Sequence, residues 1–411
     1  MNKRYFFIIC FAILGGVVFV FSLGIEDAYR FNPALVMSRV SYMASNFPYI
    51  KAEEVPEEEI NIKKQEIDSG VIKSIYLTGY SAGSRVMKKY ANNVIDTTQI
   101  NAVVIDIKDY SGYVFYDTKI PEVEKYGSKD IRIGNIDSLI KGLHDKGVYV
   151  IARIAVFQDP VLARSRPDIA VKAEDNLSSF MSFFAALKLW LDRMNLAWID
   201  PASKEAWDYN IAIAKDALER GFDEINFDYI RFPSDGDLKS MKFPIWDGKT
   251  QRREVIKEFF KYLRESMPSA KLSVDLFGLT AVNYDDLGVG QNIDDAFEYF
   301  DYICPMVYPS HYANGFLGHE NPADYPYEVV KYSMEKAKKR LASYKELNET
   351  EDKKINAVLR PWLQDFDYKA VYDTSMVKSE IQAVQDALGE DYKGYMMWSP
   401  SNFYTTEAIK P

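Results

Sequence analysis

The stretch Phe222-Asp-Glu-Ile-Asn-Phe-Asp228-Tyr-Ile-Arg231-Phe232, closed by Pro233, decides how this chain is read. A helical pattern ends at Gly221 and a short β-prone run follows; its end carries a carboxylate, an aromatic ring, a guanidinium and a proline that stops the strand. In a (β/α)8 barrel the side chains at the carboxyl ends of the strands converge on one mouth, so polar residues there are placed for chemistry. Asp228 is the first candidate for such a role.

Working outward, apolar β-rich runs recur at Ile72–Leu77, Ala102–Ile107, Val148–Val156, Glu224–Ile230, Leu272–Phe277, Tyr302–Val307, Ile355–Leu359 and Gly394–Trp398. Their near-continuous hydrophobicity suits strands buried on both faces, as in a parallel sheet covered by helices. Helical patterns lie between them near Ile136–Lys146, Ala202–Arg220, Arg252–Glu265, Asp295–Phe300, Tyr327–Tyr344 and Val377–Leu388. The alternation predicts an α/β fold, a (β/α)8 TIM barrel over residues 71–411, with a doubly wound open sheet as the alternative. No strand is followed by a GxGxxG or Walker loop.

The 411 residues are 47% hydrophobic and 14% aromatic, enough for a large core, and the net charge of −10 argues against a nucleic-acid partner. Tyr5–Leu23 is almost wholly apolar behind Lys3 and Arg4, the pattern of a signal anchor or transmembrane segment over residues 1–24. Residues 25–70, with Glu53, Glu54, Glu57, Glu58 and Glu59 around Pro56, read as an acidic stalk. The barrel is then expected outside the cytoplasm, held at the membrane, or secreted if the segment is cleaved. Two cysteines, Cys10 and Cys304, stand in unrelated segments and predict no disulfide. With three histidines and no CxxC or HExxH pattern, no metal or other cofactor is expected, although carboxylates could still hold a calcium ion.

Nearly every strand delivers a charge or a ring to its end. Strand two ends in Asp106 and Lys108, strand three carries Arg153 and leads to Asp159, strand four ends in Asp228 and Arg231, and strand five carries Asp275. Strand six runs into Tyr308 and His311, strand seven into Arg360, Trp362 and Gln364, and strand eight ends at Trp398. Such a mixture suits a sugar, whose hydroxyls need polar partners and whose C–H faces stack on aromatic rings. Each has a plainer reading too: Asp106 could pair inside the barrel with Lys108 or Arg153, and Asp200 before Pro201 reads as a helix N-cap. Asp228 and Arg231, three apart on one strand, point to opposite faces, which disfavours a simple pair.

The segments Asp106-Ile-Lys108, Phe222 to Pro233, Ser273-Val-Asp275-Leu-Phe-Gly278, Cys304-Pro-Met-Val-Tyr308-Pro-Ser-His311-Tyr and Arg360-Pro-Trp362-Leu-Gln364-Asp-Phe together resemble a bacterial family of glycosyl hydrolase barrels long carried as a domain of unknown function. The resemblance spans roughly residues 70–410 and implies a (β/α)8 barrel with glycosidase activity. The chain is more distantly similar to family-18 chitinases. Against their fourth-strand acidic series, Asp223, Asn226 and Asp228 align, but Ile230 stands where the proton-donating glutamate would be. The acid therefore comes from another strand, or the chain does not cleave sugars in the chitinase manner.

Hydrolysis by two carboxylates is the leading expectation, with Asp228 as nucleophile or base, Asp275 as the protonated acid and Asp106 in reserve. Lys108, Arg153, Asp159, Arg231, Tyr308, His311, Arg360, Trp362, Gln364 and Trp398 are the expected substrate-binding residues, and a surface or wall polysaccharide is the expected partner. A membrane-anchored barrel that binds such a polysaccharide without cutting it is the alternative, and a wall-associated interaction protein with an inactive cleft is a third.

Overall fold

Eight parallel strands close into a barrel: β1 (Ile72–Leu77), β2 (Ala102–Lys108), β3 (Tyr149–Ala155), β4 (Glu224–Asp228), β5 (Leu272–Phe277), β6 (Tyr302–Met306), β7 (Trp362–Gln364) and β8 (Gly394–Trp398). Each pairs with its sequence neighbour, and β1 pairs with both β8 and β2, so no edge is left open. This computed structural model describes residues 57–174, 188–351 and 354–410. The apolar run Tyr5–Leu23 and the stalk as far as residue 56 lie outside them. Among the described residues no helix is long and apolar enough to cross a membrane.

Alternation along each strand divides the core in two. Ile75, Val103, Ile105, Val150, Ile154, Ile225, Phe227, Val274 and Ile303 face outward to the helices, among them α2 (Arg85–Thr97), α3 (Lys204–Glu219), α4 (Arg252–Ser266), α5 (Pro326–Asn348) and α6 (Thr374–Leu388). Ile72, Val104, Ile151, Tyr302, Cys304 and Met396 fill the barrel itself. The end of the expected stalk is instead a helix, α1 (Glu57–Asp68), whose Ile67 packs on the interior cluster and whose Glu66 pairs with Lys73 at 2.6 Å. Glutamates dominate the composition of that stretch, but Lys63 and Ile67 give it an inward face.

The expected seventh strand, Ile355–Leu359, is displaced. Only Val358–Leu359 pairs with β6 before Arg360-Pro361, and the barrel strand resumes at Trp362, because proline has no N–H to give the ladder. The described parts of two long connections, residues 156–174 with 188–203 and residues 229–251, follow the carboxyl ends of β3 and β4. Asp200 is not the helix cap expected of it. Ser203 caps α3, while the Asp200 carboxylate accepts the backbone N–H groups of Ile245 (2.7 Å) and Trp246 (2.9 Å) and so ties one connection to the other.

Three residues expected at the mouth lie elsewhere. Asp106 and Lys108 of β2 oppose Arg153 and Ile154 of β3, a bulge that turns Lys108 out of the barrel. Its Nζ pairs with Asp159 at 2.9 Å, and both side chains are fully buried. Asp159 also caps the short helix Pro160–Ser165 through Leu162 N–H. Arg360 is sealed inside the barrel, where it pairs with Glu224 at the start of β4 and lies 4.0 Å from the Tyr302 ring centroid. Removing one member of a buried pair strands the other charge, at about 3–5 kcal/mol. Lys108→Met is therefore expected to lower the urea unfolding free energy by that amount, and Lys108→Met with Asp159→Leu to recover most of it; a single variant as stable as the parent would contradict a structural role for the pair.

Candidate active site

The inward positions nearest the mouth are Tyr76 on β1, Asp106 on β2, Arg153 on β3, Asp228 on β4, Asp275 on β5, Trp362 on β7 and Trp398 on β8. Tyr308 follows β6. Arg153 stands at the centre. Its guanidinium reaches three carboxylates from three strands: Nη1 to Asp106 Oδ1 at 2.6 Å, Nη2 to Asp228, and Nε to Asp275 Oδ2 at 3.3 Å. One cation thus faces three acids in a nearly dry site, where Asp106 and Asp275 are each 1% exposed and Asp228 is 5% exposed. Asp228 is the most accessible of the three.

Each aspartate has further partners. Tyr76 donates its hydroxyl to Asp106. Asn226, two residues before Asp228 on the same inward face, donates to Asp275 Oδ1 at 2.8 Å, and Trp362 Nε1 donates to the same oxygen at 2.7 Å. Asp228 accepts the N–H of Tyr229, which has a left-handed backbone at φ 55°. That conformation is costly for an aromatic residue; here it ends the strand and turns the Tyr229 N–H back on the neighbouring carboxylate. Gly278, just beyond Asp275, allows the ends of β5 and β6 to meet, since a Cβ there would fall 2.4 Å from Met306 O.

Burial raises the Asp275 carboxyl to about 7, and the negative charge of Asp228 pushes the same way against the opposing pull of Arg153. Burial likewise raises Asp106 to about 6, opposed by Arg153 and aided by Asp109. The Asn226 amide and Trp362 indole both hold Oδ1 of Asp275, so Oδ2, the oxygen at the longer 3.3 Å contact with Arg153, is the one left to carry a proton.

The remaining expected site residues divide. Trp398 is half-buried at the mouth and stacks on Tyr76, centroids 4.2 Å apart. Tyr308 is buried beside His311, 5.3 Å between centroids, and His311 also meets Phe366 and Tyr368. Burial, assisted by Lys369, lowers the His311 imidazole to about 4, which makes it neutral at ordinary pH. Trp362, expected to bind substrate, is buried and donates to Asp275. Gln364 is also sealed, with its Oε1 accepting from Ser310 Oγ at 2.8 Å and its Nε2 donating to Phe366 O at 3.0 Å, so that it joins the β6 and β7 loops. Arg231 forms no ion pair with Asp228 among the described residues; it lies among Phe277, Trp198 and Tyr229, 4.7, 4.8 and 5.4 Å from their centroids. Tyr76, Asn226 and Tyr229 were not expected as site residues. Asn226 and Tyr229 had signals in the sequence, the one within the acidic series of strand four and the other as the ring beside Asp228. Among the described residues no cluster of histidine, cysteine and carboxylate side chains suited to a metal ion occurs.

Carboxylates, a guanidinium and aromatic rings thus stand together at the strand ends of a closed (β/α)8 barrel. The chain belongs to the family described as "Putative glycosyl hydrolase domain", which it matches over residues 74–404, in agreement with the resemblance of its motifs. A crystal structure of a hypothetical protein from Ruminiclostridium thermocellum ATCC 27405 is 40% identical, the similarity covering 52% of this chain and 98% of that one with a TM-score of 0.43. The glycoside hydrolase domain of PgaB (BpsB) from Bordetella bronchiseptica is 12% identical over 81% of this chain and 95% of that one, with a TM-score of 0.54, a likeness of fold. The α-galactosidase TtGalA from Thermus thermophilus is 13% identical over 85% and 64% of the two chains, with a TM-score of 0.46. No curated protein matches the chain.

An unfolded aspartate has a pKa of about 3.9, so between about pH 4 and about pH 7 the folded chain holds a proton on Asp275 that the unfolded chain has released. The stability from this proton is complete below that window and is lost as pH rises through it. Urea unfolding free energies are therefore expected to fall less steeply with pH for Asp275→Asn than for the parent, by up to about 1.4 kcal/mol per pH unit. Parallel profiles for the two proteins would contradict the raised carboxyl.

Proposed function

We propose that this chain hydrolyses O-glycosidic bonds in a polysaccharide outside the cytoplasm, with Asp228 as the nucleophile and Asp275 as the proton donor. The observation that carries the reading is the pairing of both carboxyls with one guanidinium, where Asp275 keeps its proton to about pH 7 and Asp228 is the one that reaches the mouth. Two carboxyl groups in unlike environments are what acid-assisted glycoside cleavage requires.

In this proposal the Asp228 carboxylate attacks the anomeric carbon while the Asp275 proton passes to the departing glycosidic oxygen, and the C–O bond breaks. Water then attacks the glycosyl ester, Asp275 takes the proton from it, and Asp228 is released. Carboxyls that share one guanidinium are close neighbours. That favours the retaining separation of about 5–5.5 Å over the inverting one of about 6.5–9.5 Å. Trp398 and Tyr308 would give the cleft its apolar wall. The location outside the cytoplasm rests on the apolar run Tyr5–Leu23 behind Lys3 and Arg4.

One observation favours the alternative of a polysaccharide-binding barrel without turnover. Asp275 and Asp106 are each only 1% exposed, which leaves Asp228 as the carboxylate a sugar meets first. Reducing-end release by the purified chain from wall and surface polysaccharides separates the two readings. Release is expected from the parent, none from Asp228→Asn, and a rate roughly 10²–10⁴-fold lower from Asp275→Asn. NMR of the first product should show the anomeric configuration kept. Saturable glycan binding with no release by the parent would leave the binding barrel as the correct reading.

A further inference from the structure

Arg231 is a buried cation at the end of β4 whose chemistry the hydrolytic reading does not use. It is 8% exposed, and burial lowers its guanidinium below the usual arginine range. A buried charge is normally paired, because removing it from water costs several kcal/mol. Yet among the described residues no carboxylate comes within ion-pair distance of it. The acids nearest in effect are engaged elsewhere. Asp228 is on Arg153, Asp192 accepts from Gln158, Trp198 and two backbone N–H groups, and Asp235 accepts the N–H of Arg193.

The donors of Arg231 are used unevenly. Both of its protein hydrogen bonds come from Nη1, to Phe232 O at 3.2 Å and Ser234 Oγ at 3.0 Å. Nε and Nη2 have no partner among the described residues, and unlike the sealed, partnerless Nε of Arg360 they are not closed off from solvent. Those two nitrogens form the guanidinium edge whose parallel N–H bonds match both oxygens of one carboxylate. Arg166 uses the same edge to hold Asp168, at 2.9 and 2.6 Å. The surrounding Trp198, Tyr229 and Phe277 rings hold the guanidinium in place and keep water from most of it, which strengthens a charge-assisted hydrogen bond. Asp192 fixes Trp198 in turn through its indole N–H at 2.8 Å.

We propose that Arg231 is the floor of a subsite for an acidic sugar, taking the carboxylate of a uronic acid side-on through Nε and Nη2. The position fits a residue next to the bond that is cut: Arg231 follows Asp228 by three residues at the end of β4, and Phe277 follows Asp275 by two at the end of β5. The subsite rests on the glycan-binding mouth proposed above and adds the substrate class. The acids around Arg153 would repel an anionic sugar, so Arg231 is where such a sugar gains an attraction that a neutral one lacks.

Binding of D-glucuronate and D-galacturonate to the purified chain, against D-glucose, D-galactose and glucose 6-phosphate, tests this through the fluorescence of the tryptophans near Arg231. The expected result is a preference of at least tenfold for the uronates over the neutral sugars, lost in Arg231→Gln and reduced in Arg231→Lys, which keeps the charge without the fork. Thermal melting of both variants confirms that they fold, and the comparison within the parent protein decides even where a variant does not. Equal binding of uronates and neutral sugars by the parent overturns the proposal; so does a uronate preference that survives in Arg231→Gln, or tighter binding of the phosphate ester than of either uronate. Cleavage of a neutral glycan without any uronate preference would remove the subsite and leave the hydrolase standing. An Arg231-dependent preference with no cleavage of any glycan would keep the subsite and remove the hydrolase.

Discussion

A single guanidinium, that of Arg153, holds aspartates from three neighbouring strands in a space that admits almost no water. Three full negative charges against one positive charge would leave a net repulsion that low dielectric magnifies. The site meets that constraint by keeping protons. Burial raises Asp275 and Asp106 toward neutrality, against hydrogen bonds from the Trp362 indole and the Tyr76 hydroxyl that favour their charged forms, and Asp228 remains the one at the opening. The protonation pattern that acid-assisted bond cleavage needs therefore follows first from burial of the carboxyls and then from the charge of Asp228 beside Asp275, with Asn226 and Tyr229 setting the direction of two of the acids.

Two other buried cations in the barrel are each matched by one acid. Arg360 with Glu224 lies among interior residues, and Lys108 with Asp159 lies between the barrel wall and its outer layer. Neither pair leaves an edge for a ligand, and their cost is met within the fold. Arg153 differs in having more acids than it can neutralise, and Arg231 differs in having none within ion-pair reach among the described residues. The two imbalances lie at the same end of the barrel, at neighbouring strand ends. A neutral cleft would need neither, which is why the charge distribution at the mouth bears on substrate as well as on catalysis.

The architecture was legible because strands buried on both faces leave a signature that does not depend on distant contacts. Seven of the expected runs coincide with barrel strands; the seventh in order shifted because Pro361 interrupts the ladder at a place that the hydrophobic pattern does not mark. Asp228, Asp275, Asp106 and Arg153 were legible as strand-end charges. What could not be read was the direction of side chains after a local break in period. The bulge at Asp106–Lys108 turns Lys108 outward, and the left-handed Tyr229 ends the alternation that placed Arg231 opposite Asp228. Partners far apart in sequence were hidden as well. Nothing local to Tyr76 or Trp362 says that one serves Asp106 and the other Asp275, because closure of the barrel brings them together.

The central claim is that burial, aided by the neighbouring charge of Asp228, holds a proton on Asp275 near neutral pH. Carbon-13 NMR of aspartate carboxyl groups, compared between the parent and Asp275→Asn, measures this directly. The account predicts one carboxyl signal titrating near pH 7 that vanishes in the variant. If every aspartate in the parent titrates below about pH 5, in the ordinary carboxylate range, the account is wrong.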